Sequence, residues 1–400
     1  MNEAPTIGWL RHNFLPPSET FIYASLRGLD AAGIPVHVLA LNRRSARKFP
    51  DANVTALNDS PGACFGAAAY WLTGRSARER SWSQRVSLVH AHMGYTGAHG
   101  LRIARRRKLP LVTSFYGRDV TLAGSPMRFA PQYLPYALWR EALMAEGDRF
   151  LVLSRHMRRR LLEQGYPGGR IRIVRLGIDI DRFTMLAPRP STRISTVLMI
   201  GREVQKKGFD DGLRACAIAR ARGAKIRVVL LGTRGPLRSG LQRLARDLQL
   251  AVEWPSPKTC VPGLLAQANI LLVPSRTADN GDSEGTPTVI CEAAAAGLPI
   301  VATRHAGIPE QVVDGSTGLL TPERDLDKLA SALVTLAADD DMRRALGAAG
   351  RRKMLAEYSL EAHTRSLIEI YQELLPSETL VPAGHQWNTT HRAIHDYSSE

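Results

Sequence analysis

Within eighteen residues, Asp282-Ser-Glu-Gly-Thr-Pro-Thr-Val-Ile-Cys-Glu-Ala-Ala-Ala-Ala-Gly-Leu-Pro299 places two carboxylates, Glu284 and Glu292, around the start of one short helix. Thr286 suits the N-cap, Pro287 the first helical position, and Gly297 followed by Pro299 the stop. The residues between are small and apolar, so the helix is expected to be buried. Its first amides lack intrahelical partners and carry partial positive charge, which makes a phosphate site. Glu284 falls in the loop ahead of the helix and Glu292 about two turns down it. Acidic groups beside a phosphate site imply a ligand that also carries hydroxyls. Phosphate and hydroxyls together describe a nucleotide sugar. Glu292, on so apolar a helix, requires either a ligand or a nearby cation, because an unpaired buried charge is costly.

A second cluster lies in Ile200-Gly-Arg-Glu-Val-Gln-Lys-Lys-Gly-Phe209. A strand, a glycine and a basic stretch ahead of a helix put Arg202 and Lys207 at the strand's carboxyl end. Fixed cations there neutralise a diphosphate and stabilise it as it departs. The competing reading is a surface turn with two solvated cations, which the Glu-rich loop in the same half disfavours. No Asp-x-Asp motif ends a strand; Asp279, Asp282 and Glu284 are the nearest acidic cluster. The basic residues already supply charge neutralisation, so no metal is expected.

The elements that must position these groups alternate β-branched runs with helical segments, the pattern of parallel α/β layers. Strands are predicted at Thr6–Leu10, Pro35–Leu41, Leu88–Ala91, Pro110–Phe115, Phe150–Ser154 and Ile171–Val174. In the second half they fall at Thr196–Ile200, Arg227–Leu231, Ile270–Pro274 and Ile300–Thr303. Helices include Ser18–Gly33, Arg155–Gln164, Phe209–Gly223, Thr288–Ala296 and Asp340–Glu357. Residues 1–188 read as one Rossmann-like domain and 189–360 as a second, joined through a linker near Met185–Arg193. A last helix, 361–376, follows, and 377–400 read as a polar, disordered tail. Ligand is expected in a deep cleft between two facing domains, at the carboxyl ends of the strands.

Composition narrows the class. The 400 residues hold 44% apolar residues, enough for two cores, with no run near the ~18 that a membrane span needs. No basic segment precedes a hydrophobic one at the N-terminus, so no signal peptide is expected. Cys64, Cys216, Cys260 and Cys291 form no C-x-x-C pair, which suits a reducing cytoplasm; Cys216 and Cys291 read as core residues. Of the net charge of +16, the first 188 residues carry 27 Lys and Arg against 13 Asp and Glu. Such a surface attracts an anionic membrane or a diphosphate-bearing acceptor. Nucleic acid would also answer the charge, but aromatics are only 6% and no recognition motif appears, so it is not an expected partner.

Taken together, Gly201-Arg…Lys-Lys-Gly208, the Glu284/Glu292 pair, Ala296-Gly-Leu-Pro-Ile-Val-Ala-Thr303, Gly307-Ile-Pro-Glu310 and Asp314-Gly-Ser-Thr-Gly-Leu-Leu320 resemble the retaining GT-B glycosyltransferases of family 4. Leu15-Pro-Pro-Ser-Glu-Thr-Phe-Ile22, Val89-His-Ala-His-Met-Gly94 and Leu176-Gly-Ile-Asp-Ile-Asp-Arg-Phe183 are similar to members that build bacterial exopolysaccharides, colanic-acid-type enzymes included. The resemblance spans the chain to about Leu375. It implies that Arg202 and Lys207 hold the donor diphosphate, that Glu284 lies beside the donor sugar, and that Glu292 takes the ribose hydroxyls. The amides of Gly285, Thr286, Thr288 and Val289 would line sugar and phosphates. His92 would reach the donor sugar from the first domain, whereas His90 reads as a histidine satisfied within that domain.

On the acceptor side the candidates are His12, Glu19, Tyr116 and Asp119, although Ser18 and Glu19 also read as the cap and first turn of the following helix. Tyr116 departs from the family's pattern, standing where relatives commonly carry histidine, and with a reference pKa of about 10 it is no base at neutral pH. The implied reaction transfers sugar from a nucleotide sugar, a UDP-sugar being expected, to a glycan or lipid-diphosphate-linked acceptor at the inner membrane face. No cofactor is expected. The alternatives are a natural-product glycosyltransferase acting on an antibiotic or aminocyclitol core, a sugar-nucleotide epimerase and, distantly, a basic nucleic-acid-binding protein.

Overall fold

A computed structural model describes residues 5–14, 20–43, 52–58, 70, 73–117, 119–120, 133–183, 194–233 and 235–376. The chain divides into two compact units. The first contains the residues up to Gly177 and takes up again at Leu360; the second runs from Ile178 to Ser359. The division thus falls ahead of the boundary at 188 read from the sequence, because Ile178, Ile180 and Phe183 are buried in the second unit's core. The linker Met185–Arg193 and the tail 377–400 lie outside the described residues.

The first unit holds seven parallel strands: β1 (Ile7–Phe14), β2 (Val36–Arg43), β3 (Val54–Ala56), β4 (Leu88–His92), β5 (Leu111–Ser114), β6 (Arg149–Val152) and β7 (Ile171–Ile173). Their spatial order is β3-β2-β1-β4-β5-β6-β7. Ile7 pairs with Val36 on one side and with Leu88 on the other, so the order reverses between β1 and β4. Ligands bind at such a switch point, beyond the carboxyl ends of the strands. The helix Leu360–Gln372 belongs to this unit, where His363 Nε2 meets the Ser25 hydroxyl at 2.8 Å and His363 Nδ1 donates to the Arg175 carbonyl at 2.7 Å.

The second unit holds β8 (Ser195–Arg202), β9 (Ile226–Thr233), β10 (Val252–Glu253), β11 (Ile270–Val273), β12 (Ile300–Thr303) and β13 (Gly318–Thr321). All are parallel, in the order β10-β9-β8-β11-β12-β13, and here the reversal lies between β8 and β11. The central strands are buried on both faces, which is why they read as continuous apolar runs. Strands β3, β10 and β13 were not expected. They are two to four residues long and sit toward the sheet edges, too short to show a period. Among the described residues no helix is long and apolar enough to cross a membrane.

Candidate active site

In the second unit β8 ends at Arg202, and a single 3-10 turn, Gln205–Lys207, leads through Gly208 into the helix Phe209–Ala221. Gly208 has φ of 61°, and a Cβ there would lie 1.9 Å from the Pro274 carbonyl oxygen. Only glycine permits this approach. It brings the two lysines against the loop that follows β11. Lys207 Nζ pairs with Glu284 Oε1 at 2.6 Å, and the Ser275 hydroxyl donates to the same oxygen at 3.3 Å. Lys206 is buried and donates to Asp282 Oδ1 at 3.1 Å and the Ser283 carbonyl at 2.9 Å. Burial pushes the Glu284 carboxyl up, yet Lys207 and then Lys206 outweigh it and hold the group below the usual carboxylate range. The Glu284 amide donates to His305 Nε2 at 3.0 Å. With Nε2 accepting, Nδ1 of His305 carries the proton that bonds Glu323 Oε1 at 2.6 Å.

The buried helix runs Thr288–Ala295 and starts one residue later than the sequence implied. Its N-cap is Pro287, with ψ of 117°, rather than Thr286. The reason lies in the Pro287 carbonyl, which accepts from both Ile290 N at 3.2 Å and Gln311 Nε2 at 3.0 Å and so holds Pro287 extended. Thr286 Oγ1 is consequently buried without a hydrogen bond. Among the described residues, the amides of Gly285, Thr286, Thr288 and Val289 donate to nothing either. The C-terminus closes as expected: Gly297 adopts φ of 74°, donating to Ala294 O, while Leu298 donates to Ala293 O. Cys216 and Cys291 are core residues whose thiols burial pushes up to about 12.

Glu292 is half-buried on this helix and has no ion pair or side-chain hydrogen bond among the described residues. Burial raises its carboxyl to about 7, with the Arg182 guanidinium acting the other way. Arg202 is exposed, and its guanidinium likewise makes no ion pair or hydrogen bond among the described residues. It lines an open pocket of about 720 Å³ together with Thr233, Gly235, Pro257 and Lys258. One wall of that pocket is held from beneath. The buried Glu203 carboxylate accepts from Gly235 N at 2.9 Å and from Arg238 at 2.6 Å, and Arg238 lies 4.5 Å over the Trp254 ring.

In the first unit His92, the last residue of β4, is buried against two rings: His90 at 4.1 Å and Trp9 at 4.1 Å. Its Nδ1 meets the Tyr116 hydroxyl at 2.6 Å, while Nε2 is buried with no partner. Burial, with His90 and Arg11 adding to it, holds the ring well below the usual histidine range, so it is neutral at pH 7. His90 is satisfied internally by Ser114 and Tyr371, each at 2.7 Å. Asp119 is committed to the backbone: it accepts from Gly94 N at 2.8 Å, Tyr116 N at 3.0 Å and Gly117 N at 2.9 Å. Those bonds anchor the Gly94–Arg107 helix and the turn that presents Tyr116. His12 packs edge-on to Tyr95, with centroids 6.3 Å apart. Glu19 and Ser18 lie outside the described residues.

The structure therefore gathers Lys207, Glu284 and the helix amides in one place, and His92 with Tyr116 in another. Sequence reasoning missed Lys206, Glu203, His305 and Glu323, whose partners are remote in the chain. A faint signal existed for His305, which stands two residues before the Gly307-Ile-Pro-Glu310 run.

Two family models match the chain. Residues 194–339 fit "Glycosyl transferases group 1" and residues 18–182 fit "Glycosyltransferase Family 4". WcaL of Salmonella typhimurium, named for colanic acid biosynthesis, is 30% identical over 292 residues, which is 70% of each chain. The chain is a group 1, family 4 glycosyltransferase. AmsK of Erwinia amylovora, an amylovoran biosynthesis glycosyltransferase, is 29% identical over 305 residues, or 75% of this enzyme and 72% of AmsK. The Anabaena protein HepE, solved with UDP-glucose, superposes with a TM-score of 0.73 over 92% of this chain and 100% of its own at 17% identity. That likeness, with the two parallel sheets, makes the fold GT-B.

Proposed function

We propose that this glycosyltransferase takes its sugar from a nucleoside diphosphate sugar, UDP being the nucleotide, and delivers it with retention of configuration to a hydroxyl of a growing bacterial exopolysaccharide. The observation that carries the reading is the set of undonated amides at Gly285, Thr286, Thr288 and Val289 beside the Lys207–Glu284 ion pair. Four amide donors at and just ahead of a helix start, beside a lysine paired to the carboxylate that precedes them, make a diphosphate cradle. Arg202 adds an unengaged guanidinium at the rim of a pocket whose volume accommodates a nucleobase. Glu292, without a partner among the described residues, is available to the ribose hydroxyls.

In the reaction the bond from the sugar's anomeric carbon to the β-phosphate oxygen breaks, and its electron pair leaves with the nucleoside diphosphate. Arg202, Lys207 and the amides stabilise that charge. The acceptor oxygen bonds the same carbon from the same face, and its proton passes to a β-phosphate oxygen. With the basic residues handling the diphosphate, no metal is invoked. The exopolysaccharide assignment draws on the names of WcaL and AmsK. A lipid-diphosphate-linked acceptor on the cytoplasmic membrane face accords with the exposed cations Arg75, Arg78, Arg80, Arg85, Arg107 and Lys108 of the first unit.

The test is a thermal-shift and calorimetric panel of UDP-, GDP-, ADP- and dTDP-sugars on wild type and Glu292→Ala. One nucleotide sugar should stabilise wild type and lose its effect in the variant. Stabilisation by none of them overturns the reading. With the donor known, NMR of the product's anomeric proton decides retention against inversion.

A further inference from the structure

Arg202 and Val204 both line the open pocket at the end of β8, whereas Glu203 between them turns inward and is fully buried. Its carboxylate makes two bonds. Oε2 accepts from Gly235 N at 2.9 Å, and Oε1 accepts from the Arg238 guanidinium at 2.6 Å. Room for it comes from two absent side chains. A Cβ on Gly232 would collide with Glu203 Oε1, and one on Gly235 with the Glu203 carbonyl oxygen. Arg238 carries the connection further. Its guanidinium lies 4.5 Å over the Trp254 ring, and Trp254 packs against a hydrophobic core of the second unit.

These links reach three segments that wall the pocket. Arg202 and Thr233 pair in register at the ends of β8 and β9. Gly235 and Pro236 follow β9, and Ser256, Pro257 and Lys258 follow Trp254 along the chain. One buried carboxylate thus fixes the segment after β9 directly and the segment after β10 through Arg238 and Trp254. Stability is a poor reason for such a group. Desolvating an ion pair cancels most of its attraction, and an apolar pair of similar volume generally serves the fold as well. An apolar pair cannot dictate where an amide and a guanidinium sit, because its contacts have no preferred direction.

We infer that Glu203 is a positioning residue for the nucleobase end of the donor site: with Arg238 it sets the separation between the wall at Gly235 and Pro236 and the wall at Ser256, Pro257 and Lys258. A planar base draws its contact energy from walls held at one separation. A gap of about 0.5–1 Å forfeits roughly a quarter to a half of each dispersion well. The phosphates lie elsewhere, in the cradle of Lys207 and the helix amides, so Glu203 governs one end of the ligand and not the other. The identity of that ligand rests on the function proposed above; the positioning of the walls does not.

The experiment is calorimetric titration of the full chain with UDP and with inorganic pyrophosphate, a probe of the cradle that carries no base. Amide hydrogen exchange at Gly235 is measured beside it. Glu203→Leu combined with Arg238→Met replaces the ion pair by apolar groups and leaves no lone buried charge. The double variant should bind UDP roughly tenfold to a hundredfold more weakly than wild type and exchange the Gly235 amide about tenfold faster or more. Its affinity for pyrophosphate should not change. Arg238→Lys guards against misfolding of the double variant. It keeps a cation for Glu203 and loses the flat face on Trp254, so UDP should weaken by roughly threefold to tenfold with pyrophosphate unchanged. UDP affinity unchanged in both variants, or pyrophosphate affinity falling in step with it, overturns the inference. An unchanged exchange rate at Gly235 in the double variant does the same. If wild type binds no nucleotide, the donor reading fails, and exchange at Gly235 alone then decides whether Glu203 positions the pocket wall.

Discussion

Glu292 offers the most direct chemical test, because the free protein holds it in a state its proposed ligand cannot use. Burial raises its carboxyl to about 7, and no protein group pairs with it among the described residues. A carboxylate that accepts ribose hydroxyls must be ionised, so binding expels the proton wherever the free group carries one. If the bound pKa falls to about 5 or below, apparent affinity tightens about tenfold between pH 6 and pH 8, or about 1.4 kcal/mol. The β-phosphate of UDP titrates near pH 6 itself, so the comparison is with Glu292→Gln, which retains that contribution. Isothermal calorimetry in two buffers of different ionisation enthalpy counts the proton. Relative to the variant, wild type should release about 0.9 proton at pH 6 and about 0.1 at pH 8. Stability gives the mirror result. The folded pKa lies above the unfolded one, so stability is fully present below about pH 4.5 and is lost as pH rises through 7; Glu292→Gln should gain about 3 kcal/mol on wild type between pH 4 and pH 8. Equal pH slopes and equal proton counts in wild type and variant would refute the assignment of Glu292 to the nucleotide.

Lys207→Ala should cut turnover by about 10² to 10³ while circular dichroism stays native, since it removes one fixed donor to the leaving phosphate; turnover within a factor of two of wild type ends that role. Gly208→Ala forces a Cβ against the Pro274 carbonyl at positive φ and should destabilise the second unit by about 2 kcal/mol or more, read as a lowered urea midpoint. His305→Ala releases the Glu284 amide and the Glu323 carboxylate together, so kcat should fall without loss of UDP affinity, and a kcat unchanged by the substitution would show the Glu284 loop to be held by the lysines alone. Cosedimentation with phosphatidylglycerol vesicles should be strong at low salt and vanish at 1 M NaCl, where the Debye length is about 3 Å; no binding to anionic vesicles at any salt removes the membrane-facing role of the first unit.

Much of the second unit's site was legible in the chain because its parts are local. Gly208, Gly297 and the run from Glu284 to Glu292 act through backbone conformation and one short helix, and residue type alone constrains both. Parallel strands buried on two faces announce themselves as apolar runs, so the central strands of both sheets could be read, whereas two-residue β10 could not. Even the helix start slipped by one position, since a glutamine two dozen residues away holds the Pro287 carbonyl. What the tertiary structure alone decided is how charges and protons are shared. Nothing in the spacing says that Lys207 rests on Glu284, that Lys206 rather than Lys207 ties down Ser283, or that Asp119 serves three amides. Nor does sequence reveal that Tyr371 lies under His90, 281 residues away. The physical reason is range: backbone preference acts over a few residues, while the direction of a buried hydrogen bond depends on whichever groups the fold brings within about 3 Å.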